Sequence, residues 1–256
     1  MNSKSLAYIV LFAIAITILH GGAATNGRSL AKHVSAAQRP TQLRLVESYG
    51  RRPLNFERNQ GQASPGVEFL SRGSGYTLLL GANEAVLKLA SRKDPVSSAT
   101  GSVFHMKLVG ASSAPAGIGV DELRGRANYL IGNNPKTWRT NVPQYAKVKY
   151  RNVYPGVDLI YYGNQRELEY DLVVAPGSNP AQIRLRFEGA ERLAVNKQGD
   201  LELHSSSETM LFRKPVIYQE SNGQRQLISG GYILAAAHEA SFQLGAYDAA
   251  DRKSVV

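Results

Sequence analysis

Three carboxyls, Glu167, Glu169 and Asp171, alternate with Leu168, Tyr170 and Leu172, a period of two that places all three on one face of a strand. Positions i and i+2 of a strand stand roughly 6.5 to 7 Å apart, inside the range over which paired carboxyls hydrolyse glycosides. The same oxygens suit calcium, although that ion takes about six to eight ligands and usually a loop to wrap them. A third account is a solvated sheet face whose acids pair across strands with Lys147 and Lys149, or with Arg184 and Arg186. It asks the least of the sequence, because any half-buried antiparallel strand alternates charged and apolar residues.

Trp138 is the sole tryptophan, set in NNPKTWRTNVPQY. It could be a sugar-stacking platform extended by Tyr150, Tyr154, Tyr161 and Tyr162, or a plug that anchors a proline-bounded loop at one end of the fold; the plug is the reading taken here. Of the histidines, His33, His105, His204 and His238 lie beyond the N-terminal segment, and none has a second ligand at metal-binding spacing. There is no G-x-S-x-G elbow, and Gly73-Ser74-Gly75 reads as a hairpin turn. Gly117-Ile118-Gly119 lacks the rest of a dinucleotide fingerprint, and NKQGD (Asn196 to Asp200) lacks the repeated acids of a calcium loop. With no cysteine anywhere, thiol chemistry, thiolate metal sites and disulfides are excluded. No cofactor is implied.

The elements that must position these residues are short strands. Tyr145 to Arg151, Val157 to Tyr162 and Glu167 to Val174 alternate with period two and are separated by Pro155-Gly156 and Gly163-Asn164. The first carries Tyr145, Lys147, Lys149 and Arg151 on one face, a basic strand to answer the acidic one. Val67 to Leu70 and Tyr76 to Leu80 flank a glycine-rich turn, and Glu84 to Leu89 and Val103 to Val109 follow. After Gly177 come runs at Gln182 to Glu188, Leu193 to Val195, Leu201 to His204, Met210 to Phe212, Val216 to Gln219, Tyr232 to Ala235 and Ser241 to Leu244. Ala111 to Gly119 reads as a loop, and Gly230-Gly231 as a turn. The pattern predicts an all-β, antiparallel β-sandwich with very little helix, built as one sandwich or as two packed sub-sandwiches. A parallel α/β sheet would need crossover helices, and no blade-length period repeats.

Around this domain, assigned to residues 51–250, the chain divides simply. Residues 1–24 read as an export signal: Lys4 is the only charge, Leu6 to Leu19 is apolar apart from Tyr8 and Thr17, and small residues follow up to Ala24. The run is short for a bilayer span, so cleavage after Ala23 or Ala24 and a chain without a membrane span are expected. Residues 25–50 read as a flexible leader with one short helix at Gln42 to Tyr49, and residues 251–256 as a tail. Removing Lys4 leaves 29 Lys plus Arg against 20 Asp plus Glu, a formal charge of +9. On an exported protein that favours acidic envelope polysaccharide over nucleic acid as a partner, or else a generic basic surface, since no run of five like charges occurs.

PLNFERNQGQ (Pro53 to Gln62), VEFLSRGSGYTLLL (Val67 to Leu80), NYLIGNNPKTWRTNVPQY (Asn128 to Tyr145), YPGVDLIYYGNQRELEYDLVVAPG (Tyr154 to Gly177) and FRKPVIYQE (Phe212 to Glu220) together carry a resemblance. The chain resembles the uncharacterised N-terminal β domain that precedes SBBP-type β-propeller repeats in exported bacterial surface proteins, from about Leu45 to Asp248. The resemblance implies an exported β-rich accessory module attached to a larger surface architecture. The reading taken is a non-enzymatic structural or interaction module that meets envelope polysaccharide or other surface proteins, with a carbohydrate-binding module as the alternative. It supplies no site residues. In that family the domain runs on into propeller repeats, whereas this sequence ends at Val256, as a truncated product or a free-standing copy.

Overall fold

The computed structural model describes residues 9–13, 17–19, 54–73, 75–90, 100–112, 116–163, 167–206, 208–221 and 224–247. The first strands are β1 (Ile9–Ala13), β2 (Thr17–Leu19), β3 (Phe56–Arg58), β4 (Phe69–Gly73), β5 (Tyr76–Leu80), β6 (Glu84–Ala90) and β7 (Thr100–Leu108). A long hairpin follows, β8 (Gly117–Tyr129) and β9 (Arg139–Tyr154), then β10 (Val157–Gly163) and β11 (Leu168–Val174). The rest are β12 (Leu185–Glu188), β13 (Arg192–Val195), β14 (Leu201–His204), β15 (Thr209–Phe212), β16 (Val216–Ser221), β17 (Gln224–Ile228), β18 (Gly230–Ala236) and β19 (Glu239–Leu244). Among the described residues helix is confined to two single 3-10 turns, Pro135–Thr137 and Pro180–Gln182.

Alternation produces the strands and decides what they bury. In β11, Leu168, Tyr170, Leu172 and Val174 are buried while Glu169, Asp171 and Val173 are half-buried. In β10, Val157, Leu159 and Tyr161 are buried against them. Every ladder is antiparallel, as hairpin connections require. One sheet runs β17-β16-β1-β11-β10-β9-β3-β4-β5-β6-β7-β12-β19-β18, with β8 attached to β9; a smaller sheet runs β13-β14-β15-β2. The fold is thus all-β, with antiparallel sheets packed on one another. Leu78, Phe104, Tyr170, Leu203, Met210 and Phe242, drawn from both sheets, belong to one continuous apolar core, so the two sheets share a single interior.

Turn chemistry follows the sequence. Gly75 takes φ 86° between β4 and β5, and Gly199 takes φ 87° between β13 and β14, where Asn196 Oδ1 also accepts from Gln198 N and Asp200 N.

Three expectations are corrected. Residues 117–144, read as loop up to Gly119 and left without strands beyond it, form most of the β8–β9 hairpin, with Gly117, Ile118 and Gly119 paired to Tyr150, Lys149 and Val148. Its β8 arm exposes both faces and so shows no alternation to read. Gln224–Ile228 is an edge strand whose first four residues are all exposed. Gly230 and Gly231 open β18 instead of forming a turn. The apolar N-terminal run places Ile9–Ala13 between β11 and β16 and Thr17–Leu19 beside β15. The cleavage site, the leader with its helix at 42–49 and the tail lie outside the described residues. Among the described residues no helix is long and apolar enough to cross a membrane.

Candidate functional site

Strand β11 does hold Glu169 and Asp171 on the face away from the core, with Glu167 immediately before it. The basic strand β9 does not answer them directly, because β10 lies between: Ile160 pairs with Lys149 on one side and with Asp171 on the other. Two strand spacings make roughly 10 Å, beyond a contact ion pair. Lys149 instead bonds Asp158 of β10 at 2.8 Å, and Lys147 bonds Asp121 of β8 at 2.8 Å. Arg184 and Arg186 both meet Glu239 of β19, at 4.0 and 2.6 Å. The expected cross-strand pairing of the β11 acids with these four bases is therefore replaced by pairing with nearer acids.

What Asp171 has is a phenol. Tyr162 Oη donates to Asp171 Oδ1 at 2.8 Å. Burial raises the Asp171 carboxyl to about 6, against the opposing pull of that hydrogen bond and of Lys147 and Arg225. Glu169 is raised too, by burial first and then by the charges of Glu167 and Asp171. A carboxyl near 6 can lend a proton close to neutrality, so the pair retains the chemistry of a general acid. Neither cavity described below is lined by these carboxyls.

The aromatic candidates are not brought together. Tyr161 points into the core, 3% exposed, edge-to-face with Tyr150 at 6.2 Å, and so offers no face to a sugar. Tyr162 lies on the opposite side of β10 with Asp171. Trp138 sits in the tip of the β8–β9 hairpin, half-buried, where its indole N–H donates to Gly132 O at 3.0 Å. It anchors its loop, as expected, but at a hairpin tip instead of as a plug in the sandwich core.

That tip is well ordered by local bonds. Asn134 Oδ1 accepts from Lys136 N, capping the Pro135–Thr137 turn, and Arg139 donates to the carbonyls of Gln60, Thr137 and Trp138. The base of β8 is set by Gly117, where a Cβ would fall 2.9 Å from Phe69 and 3.0 Å from Tyr150, and whose N–H donates to Glu68 Oε2 at 2.7 Å. Near the other end, Tyr129 Oη donates to Glu57 Oε2, a nearly buried carboxylate that also meets Arg72 at 3.5 Å and accepts from Gln144 Nε2 at 3.4 Å. Arg72 stacks over the Tyr129 ring at 5.4 Å. Burial, then the bond to Glu57, raises the Tyr129 phenol. Sequence reasoning missed this cluster, since its members are widely separated along the chain.

It also missed the charge of the hairpin. From Leu123 to Gly156 the sequence contains no Asp or Glu and seven bases: Arg124, Arg126, Lys136, Arg139, Lys147, Lys149 and Arg151. Arg126, Lys147 and Lys149 are paired with Glu122, Asp121 and Asp158, all outside that stretch. Arg124, Lys136, Arg139 and Arg151 make no ion pair among the described residues. At the tip, Leu130 and Ile131 are 58% and 73% exposed.

Two cavities among the described residues bear on the site. One, of about 30 Å³, lies in the core among Leu78, Leu87, Phe104, Tyr170, Met210 and Phe212; it is apolar and has room for about one water. The other, of about 440 Å³, is a cleft between Arg186 to Ala190 and Ala236 to Glu239. His105 bonds Glu84 at 2.7 Å and His204 bonds Glu202 at 3.0 Å, each a pairing across or along the sheet. Among the described residues no group of three or more His, Asp or Glu stands ready to hold a metal.

A family model described as a domain of unknown function, DUF7948, matches residues 56–252. No curated protein and no solved structure matches the chain.

Proposed function

The chain belongs to the DUF7948 family, a domain of unknown function, and from its own surface we propose that it is an exported, non-enzymatic interaction module that holds an anionic partner at the cell envelope. The observation that carries this is the part of the β8–β9 hairpin from Leu123 onward, which holds no Asp or Glu and carries four bases that no acid neutralises among the described residues. Positive charge concentrated on one projecting element attracts a polyanion far more strongly than the same charge scattered. The apolar N-terminal run and the resemblance to domains ahead of SBBP repeats support export, which makes acidic envelope polysaccharide the polymer within reach. Against a glycan-active enzyme, Asp171 is engaged by Tyr162 and lines neither of the two cavities found among the described residues. Against a neutral-sugar platform, Trp138, Tyr161 and Tyr162 lie in three different settings.

A glycan array carrying neutral and acidic polysaccharides tests the reading on the full chain. Acidic polymers should bind at micromolar affinity and be released by salt, and changing Arg124, Lys136, Arg139 and Arg151 together to Glu should abolish the binding. No acidic polymer bound at micromolar affinity sinks the proposal.

A further inference from the structure

We propose that the tip of the β8–β9 hairpin is a lipid-docking element, with Leu130 and Ile131 entering the apolar boundary of an anionic bilayer while the hairpin bases meet its headgroup phosphates. The inference rests on the anionic-surface reading above and names a bilayer as one such surface. A hydrophilic polymer satisfies the bases but leaves two aliphatic side chains, more than half exposed, in water. A bilayer interface satisfies both at once, since apolar groups enter the acyl boundary while Lys and Arg remain among the headgroups.

The geometry fits that division. Tyr129 pairs with Arg139 as the last rung of the ladder, so residues 130–138 form the loop that caps the hairpin. Leu130 and Ile131 leave that rung side by side, and Gly132 O, held by the Trp138 indole, fixes the chain just after them. Lys136 stands exposed in the same loop, Arg139 is at its foot, and Arg126 and Arg124 follow down β8. From Leu123 round the tip to Gly156 no acid repels a phosphate, and the two acids lower on β8, Asp121 and Glu122, are paired with Lys147 and Arg126. The carboxylate that does approach the tip, Glu57, is nearly buried and held by Tyr129, Arg72 and Gln144. Trp138 supplies the amphipathic aromatic that favours the headgroup level.

Because Trp138 is the only tryptophan, its fluorescence reports on the tip and on nothing else. The full chain is titrated with vesicles of phosphatidylcholine and with equimolar phosphatidylcholine and phosphatidylglycerol, and separately with dextran sulfate. The anionic vesicles should co-sediment the protein and shift the emission to the blue; phosphatidylcholine alone should do neither. The surface variant Leu130→Ser with Ile131→Ser should bind the anionic vesicles about tenfold more weakly or worse, yet keep its affinity for dextran sulfate. Lys136→Glu with Arg124→Glu should weaken both. Wild-type binding to dextran sulfate without binding to anionic vesicles would leave the anionic-partner reading standing and overturn this one. So would a serine variant that binds vesicles like wild type, or a blue shift with dextran sulfate equal to that with vesicles, which would make the tip a site for a polymer. Binding to neither probe would remove both readings.

Discussion

Tyr162 donates its phenolic proton to Asp171 across 2.8 Å on the solvent side of adjacent strands β10 and β11. The acidic face is therefore a place where the fold tolerates a partly desolvated carboxyl, and its cost depends on pH. The Asp171 pKa lies above its unfolded value, at about 6 against 3.8, so between those values the native state keeps a proton that the unfolded chain has released. Stability contributed by this group is present below about pH 4 and is lost as pH rises through about 6. Asp171→Asn removes the charge and keeps an oxygen for Tyr162. It should stabilise the protein at pH 7.5 by about 1 to 2 kcal/mol after allowing for partial solvent screening, and leave it unchanged near pH 4. Denaturant unfolding at the two pH values measures this; an equal effect at both would mean that the charge is not responsible.

Deeper in the core, the Tyr170 and Tyr232 hydroxyls meet at 3.3 Å, both rings buried. Burial raises both phenols, so both stay protonated at any ordinary pH. Tyr232→Phe leaves the Tyr170 hydroxyl buried without this partner and should cost about 1 to 3 kcal/mol. Adding Tyr170→Phe replaces both polar groups by apolar ones of nearly the same shape, and the double variant should recover most of that loss. A double-mutant cycle by thermal unfolding checks it, and simple additivity would rule out the coupling.

The hairpin is tied to the sheet at Tyr129, whose hydroxyl reaches Glu57 while its ring receives Arg72. Tyr129→Phe keeps the stacked ring and removes the bond to the carboxylate. Amide exchange should speed up across 126–139, with β5, β6 and β10 unchanged, because the loss falls on one projecting element and not on the shared core. Faster exchange throughout the molecule would mean that Glu57 supports the core itself.

How far the sequence displayed all this depended on whether a residue's role is local. Leu168 to Val174 reads as a strand because each second side chain is buried, and the acids on its other face read as a half-solvated surface for the same reason. Gly117 to Tyr129 does not, since a strand paired along one edge and open to water on both faces has no period to impose on its side chains. Glu57 looked like any acid in NFER: its partners Arg72, Tyr129 and Gln144 stand 15, 72 and 87 residues away, distances at which composition says nothing. The Lys147–Asp121 and Lys149–Asp158 pairs fell between, because bases and acids were visible but the strand order that matched them was not. The acid-free stretch of 123–156 was legible in full, as a count of charges along a window; only the hairpin gives it meaning, by placing those charges on one element.

Strand β1 bears on the proposed export, because it lies inside the run read as an export signal. Leu11 pairs with Leu172 of β11 on one side and with Ile217 of β16 on the other, antiparallel to both. Its neighbours are therefore parallel to each other and about 10 Å apart, too far to share hydrogen bonds directly. Cleavage after Ala23 or Ala24 would remove β1 and leave the facing amides of β11 and β16 without their ladder partners. We expect segments 168–174 and 216–221 to exchange faster in the chain that begins at Thr25 than in the uncleaved chain. Residues 84–90 of β6, remote from the slot in strand order, should exchange alike in both. Hydrogen exchange read by mass spectrometry on the two chains decides it, and the same mass measurement on exported protein locates the true N-terminus. Equal protection at 168–174 in both chains would mean that β11 and β16 close on each other once β1 has gone, or never depended on it.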